Sequence, residues 1–423
     1  MPKTIKRING ELYIEGISLD SIAKEFSTPC YVYSGRAIEE NYLKYIEALG
    51  NQPHLVCYAV KSNSNIAILQ LLSSLGSGFD IVSIGELERV LLAGGDPKKV
   101  VFSGLAKSEE EMRRALEVGI HCFNIESESE LVLLNKTAGT MSLTAPVSIR
   151  VNPDVDAKTH PYISTGLKED KFGIDINGAI ETYRKAAEMS NINIIGVDCH
   201  IGSQITAVEP FVAAMKRLIN LVDNLSQLGI KISHIDIGGG LGVPYQNETV
   251  LPVRTYIESL LPLLKNRDEK ILLEPGRSIT ANAGVLLTKV QYLKYSELKN
   301  FAVVDAAMND MLRPSLYGAW MDIQPVSAKD GLVQNSYDVV GPVCESGDFL
   351  GKDRDLKIEE QDYLCLFSAG SYGFVMSSNY NSRPRSAEIL VSGERAYLIR
   401  KRETFNDIVR GEKLLANYDV HTN

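Results

Sequence analysis

One lysine stands at the end of an apolar segment, where its side chain could take part in chemistry. In the stretch LVCYAVKSN, residues 55–63, Lys61 follows six residues that predict a β-strand. We expect an ammonium group in this position to be partly removed from water and to lose its proton more easily than an exposed lysine. Lys61 is therefore a candidate nucleophile that forms a Schiff base with an aldehyde.

Three consecutive glycines follow another predicted strand, in the stretch HIDIGGGLG. Because these glycines have no Cβ atoms, the backbone amides of residues 238–240 could close around an anion such as a phosphate. The pattern favours a phosphorylated cofactor. A tight turn without a ligand is one alternative, and a dinucleotide site is a second, although the spacing G-x-G-x-x-G is absent.

The motif LLEPGRS brings a carboxylate and a guanidinium group together at the end of a third strand. Glu274 could keep the nitrogen of a pyridine ring protonated, as an electron sink requires. Pro275 and Gly276 permit a sharp turn, and Arg277 follows it. An ordinary surface pair of Glu and Arg is the alternative for this motif taken alone.

A histidine and a serine end a further predicted strand, in the stretch CHIGSQ. The ring of His200 could stack on a planar cofactor, and Ser203 could offer a hydroxyl group to its phosphate. A histidine in this position is also often a structural residue. The other histidines lack the spacing of metal ligands, so the sequence predicts no metal site.

Eight short apolar segments between residues 55 and 277 alternate with amphipathic segments, which predicts parallel strands joined by helices. The predicted strands are residues 55–60, 78–83, 99–104, 120–125, 147–152, 194–202, 232–240 and 270–276. Eight such units match the size of a closed (β/α)8 barrel of the TIM type. We favour this α/β barrel over an open, doubly wound sheet because polar residues end nearly every strand, rather than one or two strands.

The remainder of the chain predicts a second domain. Residues 278–423 have short alternating runs and glycine-rich turns, which are typical of a mostly antiparallel β domain. Strand-like segments near the start predict that residues 1–34 belong to the same domain. We therefore expect a barrel over residues 35–277 and a β domain built from both ends of the chain.

Composition excludes several classes of protein. The net charge of −9 argues against nucleic acid or an anionic membrane as the partner. No apolar segment has the length that is needed to span a bilayer. Five of the six scattered cysteines lie in apolar runs, whereas Cys344 does not, and this usage favours a cytoplasmic protein.

Six motifs occur in an order that resembles a known family. YAVKSN, HIGSQ, DIGGGLG, EPGR, CESGD and SAGSYG resemble the pyridoxal-phosphate-dependent decarboxylases that have an alanine-racemase-type barrel. The likeness covers nearly the whole chain, and residues 156–174 are especially similar to the diaminopimelate branch of the family. The resemblance implies decarboxylation of meso-2,6-diaminopimelate to L-lysine and CO2, the last step of lysine biosynthesis, with pyridoxal 5'-phosphate as the cofactor.

The resemblance also implies residue roles. The residues that would contact the cofactor are Lys61 as its covalent carrier, His200, Ser203, Gly239, Gly240, Glu274, Gly276, Arg277 and Tyr372, supported by Asp80, Glu86 and Arg150. The residues that would bind the substrate are Arg277, Arg313, Tyr317, Glu345 and Tyr372. Cys344 would donate a proton and complete a catalytic set with Lys61 and His200. Cys344 and Glu345 would reach the site from a second subunit, which implies a homodimer.

Other functions stay open from the sequence. Two arginines and one acid suit a substrate with an amino-acid group at its far end, whereas ornithine has only an ammonium group there. A decarboxylase of ornithine, arginine or carboxynorspermidine and an amino-acid racemase are alternatives. A non-catalytic carrier of the cofactor and a dinucleotide-dependent oxidoreductase are two further classes. We also expect residues 154–172 to close over the substrate.

Overall fold

A closed barrel of eight parallel strands forms the centre of the molecule in the computed structural model, which describes residues 4–156 and 171–415. In chain order the strands are His54–Ala59, Gly78–Ile81, Val100–Phe102, Cys122–Ile125, Ala145–Asn152, Ile192–Asp198, His234–Asp236 and Lys270–Leu273. Each pairs with the next, and the eighth pairs with the first. The predicted barrel is therefore confirmed, with one strand for each of the eight apolar segments.

Helices surround the barrel. After the successive strands come Ile66–Ser74, Ile84–Leu92, Glu109–Val118, Glu128–Thr140, Ala179–Ala187, Glu209–Gln227, Val253–Leu260 and the short Arg277–Thr280. The sequence sets their limits through caps. Ser108 and Glu111 form a capping box at one start, and the same helix ends at Gly119, whose φ of 69° suits glycine.

The helix Gly35–Leu49 precedes the first barrel strand and takes a full helical position on the outside of the barrel. It contacts Val253–Leu260, Arg277–Thr280 and Ile66–Ser74. The four-residue helix Arg277–Thr280 is too short to cover the barrel alone. The chain therefore covers this part of the barrel with a helix from before the first strand.

A second sheet lies beside the barrel and is mostly antiparallel, as predicted. Its strands are Cys30–Ser34, Gly284–Lys294, Asn300–Val304, Ile323–Pro325, Asn335–Val340, Phe349–Leu356, Tyr363–Leu366, Ala387–Ser392 and Arg395–Arg400. Two of its pairings are parallel. Cys30–Ser34 lies between Gly284–Lys294 and Ala387–Ser392, so a strand from the start of the chain stands inside a sheet made from its end.

Smaller elements complete the described chain. A three-stranded antiparallel sheet consists of Ile5–Ile8, Glu11–Ile14 and Ile17–Ser18, and the two-residue strand Ile174–Asp175 pairs with Ala145–Asn152. The remaining helices are Leu19–Phe26, Arg313–Tyr317 and Phe405–Ile408. No helix in the described ranges is both long enough and apolar enough to cross a membrane.

The barrel interior changes from apolar to polar along the strands. Four of the strands contribute Cys57, Val101, Cys122 and Leu272 to one buried cluster. Because side chains alternate along a strand, Asn124 points inward two residues after Cys122 and hydrogen-bonds a carboxylate in the interior. The apolar layer thus supports a polar layer at the carboxyl ends of the strands, where TIM barrels place their active sites.

Candidate active site

Lys61 lies in a 3-10 turn directly after the first barrel strand, and its ammonium group forms an ion pair with Asp80 of the second strand. The side chain of Lys61 is 36% exposed, whereas that of Asp80 is fully buried. The second oxygen of Asp80, Oδ1, has no hydrogen-bond partner among the described residues. Only one of the two carboxylate oxygens of Asp80 therefore takes part in the ion pair.

The expectation that desolvation makes Lys61 lose its proton easily is wrong for this structure. Burial lowers the pKa of Lys61, but the carboxylates of Asp80 and Glu274 raise it, and the net shift is upward. The sequence argument missed this because Asp80 comes from the neighbouring strand. Lys61 is thus protonated here, so it can act as a nucleophile only after its proton is transferred.

Three more carboxylates meet at the centre of the strand ends. One oxygen from each of Asp198, Asp236 and Glu274 lies within 4.8 Å of the others, and all three side chains are buried. Burial and the neighbouring acids raise the pKa of Asp198 and of Glu274, and they raise that of Asp236 to about 7. Carboxylates this close in a buried site cannot all be ionised, so the cluster holds protons at neutral pH.

Glu274 is held in place by a neutral donor. Its Oε1 accepts a hydrogen bond of 3.3 Å from Asn124 Nδ2, and its backbone N–H donates to Gly238 O at 2.8 Å. A buried carboxylate without its own cation can bind a cationic ring nitrogen of a ligand. This is the chemistry that the sequence predicts for Glu274.

Arg150 and His200 lie beside this cluster. Arg150 Nη1 donates to Glu126 at 2.7 Å, and its Nε lies 3.9 Å from Asp198. Burial, together with Arg150 and Lys61, lowers the pKa of His200, so its ring is neutral. The Nδ1 atom of His200 accepts a hydrogen bond from the backbone N–H of Gly239.

The glycine triplet forms a close-packed turn against two neighbouring strand ends. A Cβ atom on Gly239 would lie 2.2 Å from the carbonyl oxygen of Glu274, and one on Gly240 would lie 2.5 Å from that of Gly202. Gly240 also has a φ of +116°. In the turn after the eighth strand, a Cβ atom on Gly276 would lie 3.0 Å from Ser62. Glycine is therefore required in this turn whether or not a phosphate binds.

Two arginines lie on the wall of an adjacent cavity of about 330 Å³. Arg277 begins a short helix, donates to Ser203 Oγ at 3.0 Å and lies 4.9 Å from the ring centre of Tyr372. Arg313 begins another short helix and lies 4.5 Å from the ring centre of Tyr245. Neither forms an ion pair with a carboxylate of the described chain, although both are buried.

The cavity wall contains several of the predicted residues and several that the sequence did not reveal. The predicted residues on the wall are His200, Ser203, Arg277, Arg313, Tyr317 and Tyr372; the others are Gln204, Tyr245, Glu248, Ala319 and Trp320. Tyr245 follows the glycine triplet by five residues, and its hydroxyl accepts a hydrogen bond of 2.6 Å from Arg277. Tyr245 and Trp320 also line a larger groove of about 860 Å³, whose wall contains none of the predicted site residues.

Glu86 lies beyond the ion pair of Lys61 and Asp80. It accepts a hydrogen bond of 2.7 Å from the backbone N–H of Val82, and burial raises its pKa to about 7. Lys61 is among the charges that act on Glu86 and partly offset this shift. Glu86 thus belongs to the same electrostatic network as Lys61, as a supporting residue would.

Cys344 and Glu345 are not on the wall of this cavity. Cys344 is the exposed one of the six cysteines, and its backbone N–H donates to Asn381 Oδ1 at 2.9 Å. Glu345 is exposed and accepts a hydrogen bond of 3.4 Å from the hydroxyl of Tyr380. One chain therefore leaves these two predicted residues on a surface apart from the others. The predicted closing segment, residues 154–172, lies largely outside the described residues.

The residues at the strand ends fit pyridoxal phosphate. Lys61 offers an amine for the aldehyde, Glu274 offers a buried carboxylate for the ring nitrogen, and the neutral ring of His200 can stack on a planar ring. Asp80 adds a buried acceptor atom that has no partner in the described protein. Ser203 offers a hydroxyl group, and the glycine turn offers a backbone N–H, for a phosphate.

Comparisons with known proteins agree with this geometry. A family described as "Pyridoxal-dependent decarboxylase, pyridoxal binding domain" matches residues 36–281. A diaminopimelate decarboxylase of Pseudomonas aeruginosa is 58% identical over 407 residues, which are 96% of this chain and 98% of the relative.

Solved structures give the same result. A diaminopimelate decarboxylase from Helicobacter pylori, in complex with L-lysine, has a TM-score of 0.89 and 42% identity and covers 92% of this chain and 98% of its own. One from M. jannaschii, also with L-lysine, has a TM-score of 0.93 and 39% identity and covers 98% of both chains. The chain belongs to the pyridoxal-dependent decarboxylase family, within its diaminopimelate decarboxylase branch.

Proposed function

We propose that this protein is an enzyme that decarboxylates meso-2,6-diaminopimelate to L-lysine and CO2, the last step of lysine biosynthesis. Its cofactor is pyridoxal 5'-phosphate. The observation that carries the choice of substrate is the pair of buried guanidinium groups, Arg277 and Arg313, on the wall of a cavity beside the strand ends.

The two guanidinium groups favour an anionic ligand. Buried charges in proteins are almost always paired, yet these two have no carboxylate partner in the described chain. Their nearest polar neighbours are hydroxyl groups and aromatic rings, including those of Tyr245 and Tyr372. A substrate carboxylate far from the reacting carbon would complete the pairing, and diaminopimelate has such a group whereas ornithine does not.

The residues at the strand ends would bind and orient the cofactor. Lys61 would bind its aldehyde, Glu274 would keep its ring nitrogen protonated, and His200 would pack on the ring. When bound, pyridoxal phosphate accepts the electron pair that the substrate releases as its carboxylate leaves as CO2. Ser203, Gly240 and the turn at Gly276 would hold the phosphate.

Further residues prepare the site for this reaction. Asp80 and Arg150 are charged groups beside the ring position, and each has a partner that fixes it. The backbone N–H of Gly239 holds the His200 ring through Nδ1. Tyr372, stacked against Arg277, and Tyr317 limit the cavity and keep water away from the substrate.

After CO2 leaves, a proton must be added to the α-carbon, and an acidic group has to donate it. We assign this role to Cys344, and the binding of the distal ammonium group to Glu345. Both are exposed and lie off the cavity wall in one chain. We infer that they serve the site of a second copy, so that the active unit is a homodimer with shared sites.

Domain limits and location are part of the proposal. We place the barrel domain at residues 35–277 and the β domain at 1–34 and 278–423; the family match to residues 36–281 supports these limits. Hydrogen exchange would test these limits, because the backbone amides of each domain should lose their protection together and separately from those of the other domain. We infer a cytoplasmic location because five of the six free thiols are buried, and cell fractionation would test it.

A substrate panel tests the function. Purified enzyme with pyridoxal phosphate should release CO2 and L-lysine from meso-diaminopimelate. Its kcat/KM should be at least about 100-fold lower for ornithine, arginine and carboxynorspermidine, because these lack the pairing that two distal arginines provide. Racemisation of an amino acid without release of CO2 would contradict the proposal, and so would equal rates with ornithine.

A further inference from the structure

A second cluster of chemically active side chains lies inside the barrel at the end opposite to Lys61. His121 and Cys122 stand at the start of the fourth barrel strand, and His234 is the first residue of the seventh. A ring nitrogen of each histidine and the sulfur of Cys122 all lie within 4.8 Å of one another. In a tetrahedral zinc site, bonds of about 2.1–2.3 Å put ligand atoms roughly 3.4–3.8 Å apart. A bound metal would hold the three atoms at this shorter spacing.

The histidines of this cluster have nitrogen atoms without partners. His234 is 2% exposed, and neither of its ring nitrogens has a hydrogen-bond partner among the residues that the structure describes. The Nε2 atom of His121 is likewise buried and unpartnered. Buried polar atoms in folded proteins are bonded with few exceptions, so three such atoms in one cluster indicate a missing ligand.

The surroundings hold the rings as ligand histidines are held. The backbone of Lys98 lies close to the His121 ring, whose Nε2 atom has no hydrogen-bond partner among the described residues. The Nε2 atom of His234 packs directly against Gly196, where a Cβ atom would lie 2.0 Å from it, so Nδ1 is the ring nitrogen that could bind a ligand. The thiol of Cys122 lies 3.6 Å from Asn124 Oδ1. All three groups are therefore positioned by the fold before any ligand binds.

The charge state of the cluster also suits a cation. A metal binds the lone pair of a neutral imidazole, and a buried setting without a paired carboxylate favours that neutral form. Lys270 is the nearby cation that acts on both rings. A thiolate at Cys122 would offset that positive charge.

We propose that His121, Cys122 and His234 bind one zinc-like divalent cation, with water as the fourth ligand. As the bond between sulfur and metal forms, the thiol of Cys122 loses its proton to solvent, and no electron is transferred. Two imidazoles and one thiolate select zinc over magnesium or calcium, which prefer oxygen ligands. The ion would join the fourth and seventh strands at the base of the barrel.

This site goes beyond the proposed function and does not depend on it. Its ligands are at the amino ends of the strands, whereas Lys61 and Glu274 are at the carboxyl ends. We therefore expect the metal to affect the stability of the barrel more than the chemistry of decarboxylation.

Metal titration of the holoenzyme tests the proposal. The enzyme is purified with a chelator, dialysed, and titrated with Zn2+ against a chromophoric competitor and with Co2+ in the spectrophotometer. We expect one equivalent of zinc per chain, a thiolate-to-cobalt absorption band and a higher Tm with zinc. His121→Ala and His234→Ala should weaken binding at least tenfold, and Cys122→Ala should also abolish the band.

Matched controls separate this site from adventitious binding. His54→Ala removes a half-buried histidine at the start of another barrel strand, and Cys57→Ala removes a buried cysteine of the same interior cluster. Both should bind zinc like the wild type. If His234→Ala or Cys122→Ala does not fold, the zinc affinity of His121→Ala is compared with that of His54→Ala, and this comparison tests the site. The proposal is overturned if the wild type takes up no metal, or if His121→Ala binds it as tightly as the wild type.

Discussion

Replacing Arg313 by alanine tests the basis of substrate choice. Arg313 is buried on the cavity wall, is stacked on Tyr245 and has no carboxylate partner in the described chain. In the proposed complex its guanidinium group binds the carboxylate of the substrate that is not lost. The variant would remove this charge-assisted pair and leave Arg277 as the remaining cation of the site.

The size of the effect follows from the type of contact. Losing one partner of a buried, charge-assisted hydrogen-bonded pair costs about 2–4 kcal/mol. At 1.36 kcal/mol for each factor of ten, kcat/KM for meso-diaminopimelate should fall roughly 30- to 1,000-fold. Most of the loss should appear in KM, because the distal carboxylate is bound equally before and during the reaction.

Product inhibition gives the sharpest assay. L-lysine keeps the amino-acid group of the end that does not react, so it retains the carboxylate that Arg313 would bind. 1,5-Diaminopentane has the same chain but no carboxylate. In Arg313→Ala the inhibition constant of lysine should rise by the same 30- to 1,000-fold, whereas that of the diamine should change less than about threefold.

A matched variant controls for the loss of a buried, stacked arginine. Arg354 is as buried as Arg313, with 6% of each residue exposed, and it stacks on the ring of Trp320. Arg354→Ala should lower Tm but change the ratio of the two inhibition constants less than about threefold, because Arg354 meets the cavity only through the ring of Trp320 and offers no charge to the substrate. The reasoning is refuted if Arg313→Ala raises the inhibition constant of the diamine as much as that of lysine, or leaves that of lysine unchanged.

Three other predictions follow from the site. Gly239→Ala puts a Cβ atom 2.2 Å from the carbonyl oxygen of Glu274, so spectrophotometric titration should show cofactor affinity reduced about tenfold or more. In the control Gly178→Ala the new Cβ atom lies 3.6 Å from its nearest neighbour, and cofactor affinity should not change. Burial raises the folded-state pKa of Asp236 to about 7, so the contribution of its protonated form to stability is present below about pH 4 and is lost as pH rises through 7. In the cofactor-free protein, Tm should therefore fall less between pH 5 and pH 8 in Asp236→Asn than in the wild type. An equal fall in both proteins would contradict the raised pKa. Mixing the inactive variants Lys61→Ala and Cys344→Ala under conditions that exchange subunits should restore roughly a quarter of wild-type activity. Half of the dimers in a random mixture contain one subunit of each variant, and each such dimer has one intact site of two. If verified mixed dimers recover no activity, the sites are not shared.

The sequence predicted the barrel because its signals are local. Each strand is a short apolar run, and each candidate such as Lys61 or Glu274 follows directly after one, so periodicity and turn residues are enough to find them. The position of the helix Gly35–Leu49 was not predictable in this way. Its role on the outside of the barrel depends on the shortness of Arg277–Thr280, which is a matter of tertiary packing.

Electrostatics were harder to predict than positions. Asp198 and Asp236 end ordinary strands, and only closure of the barrel brings them within 4.8 Å of Glu274. The pKa of Lys61 was predicted to fall but rises, because Asp80 is contributed by the next strand. His121 and His234 are 113 positions apart in the sequence, so no spacing rule for metal ligands could have joined them.

The central claim is that Lys61 is the covalent carrier of pyridoxal phosphate. Reduction of the holoenzyme with borohydride, followed by proteolysis and mass spectrometry, measures this directly. One reduced cofactor should be found per chain, on the peptide that contains Lys61, and Lys107, which is buried in a pair with Glu130, should remain unmodified. A peptide with Lys61 that carries no added mass, or a cofactor attached to another lysine, would contradict the account.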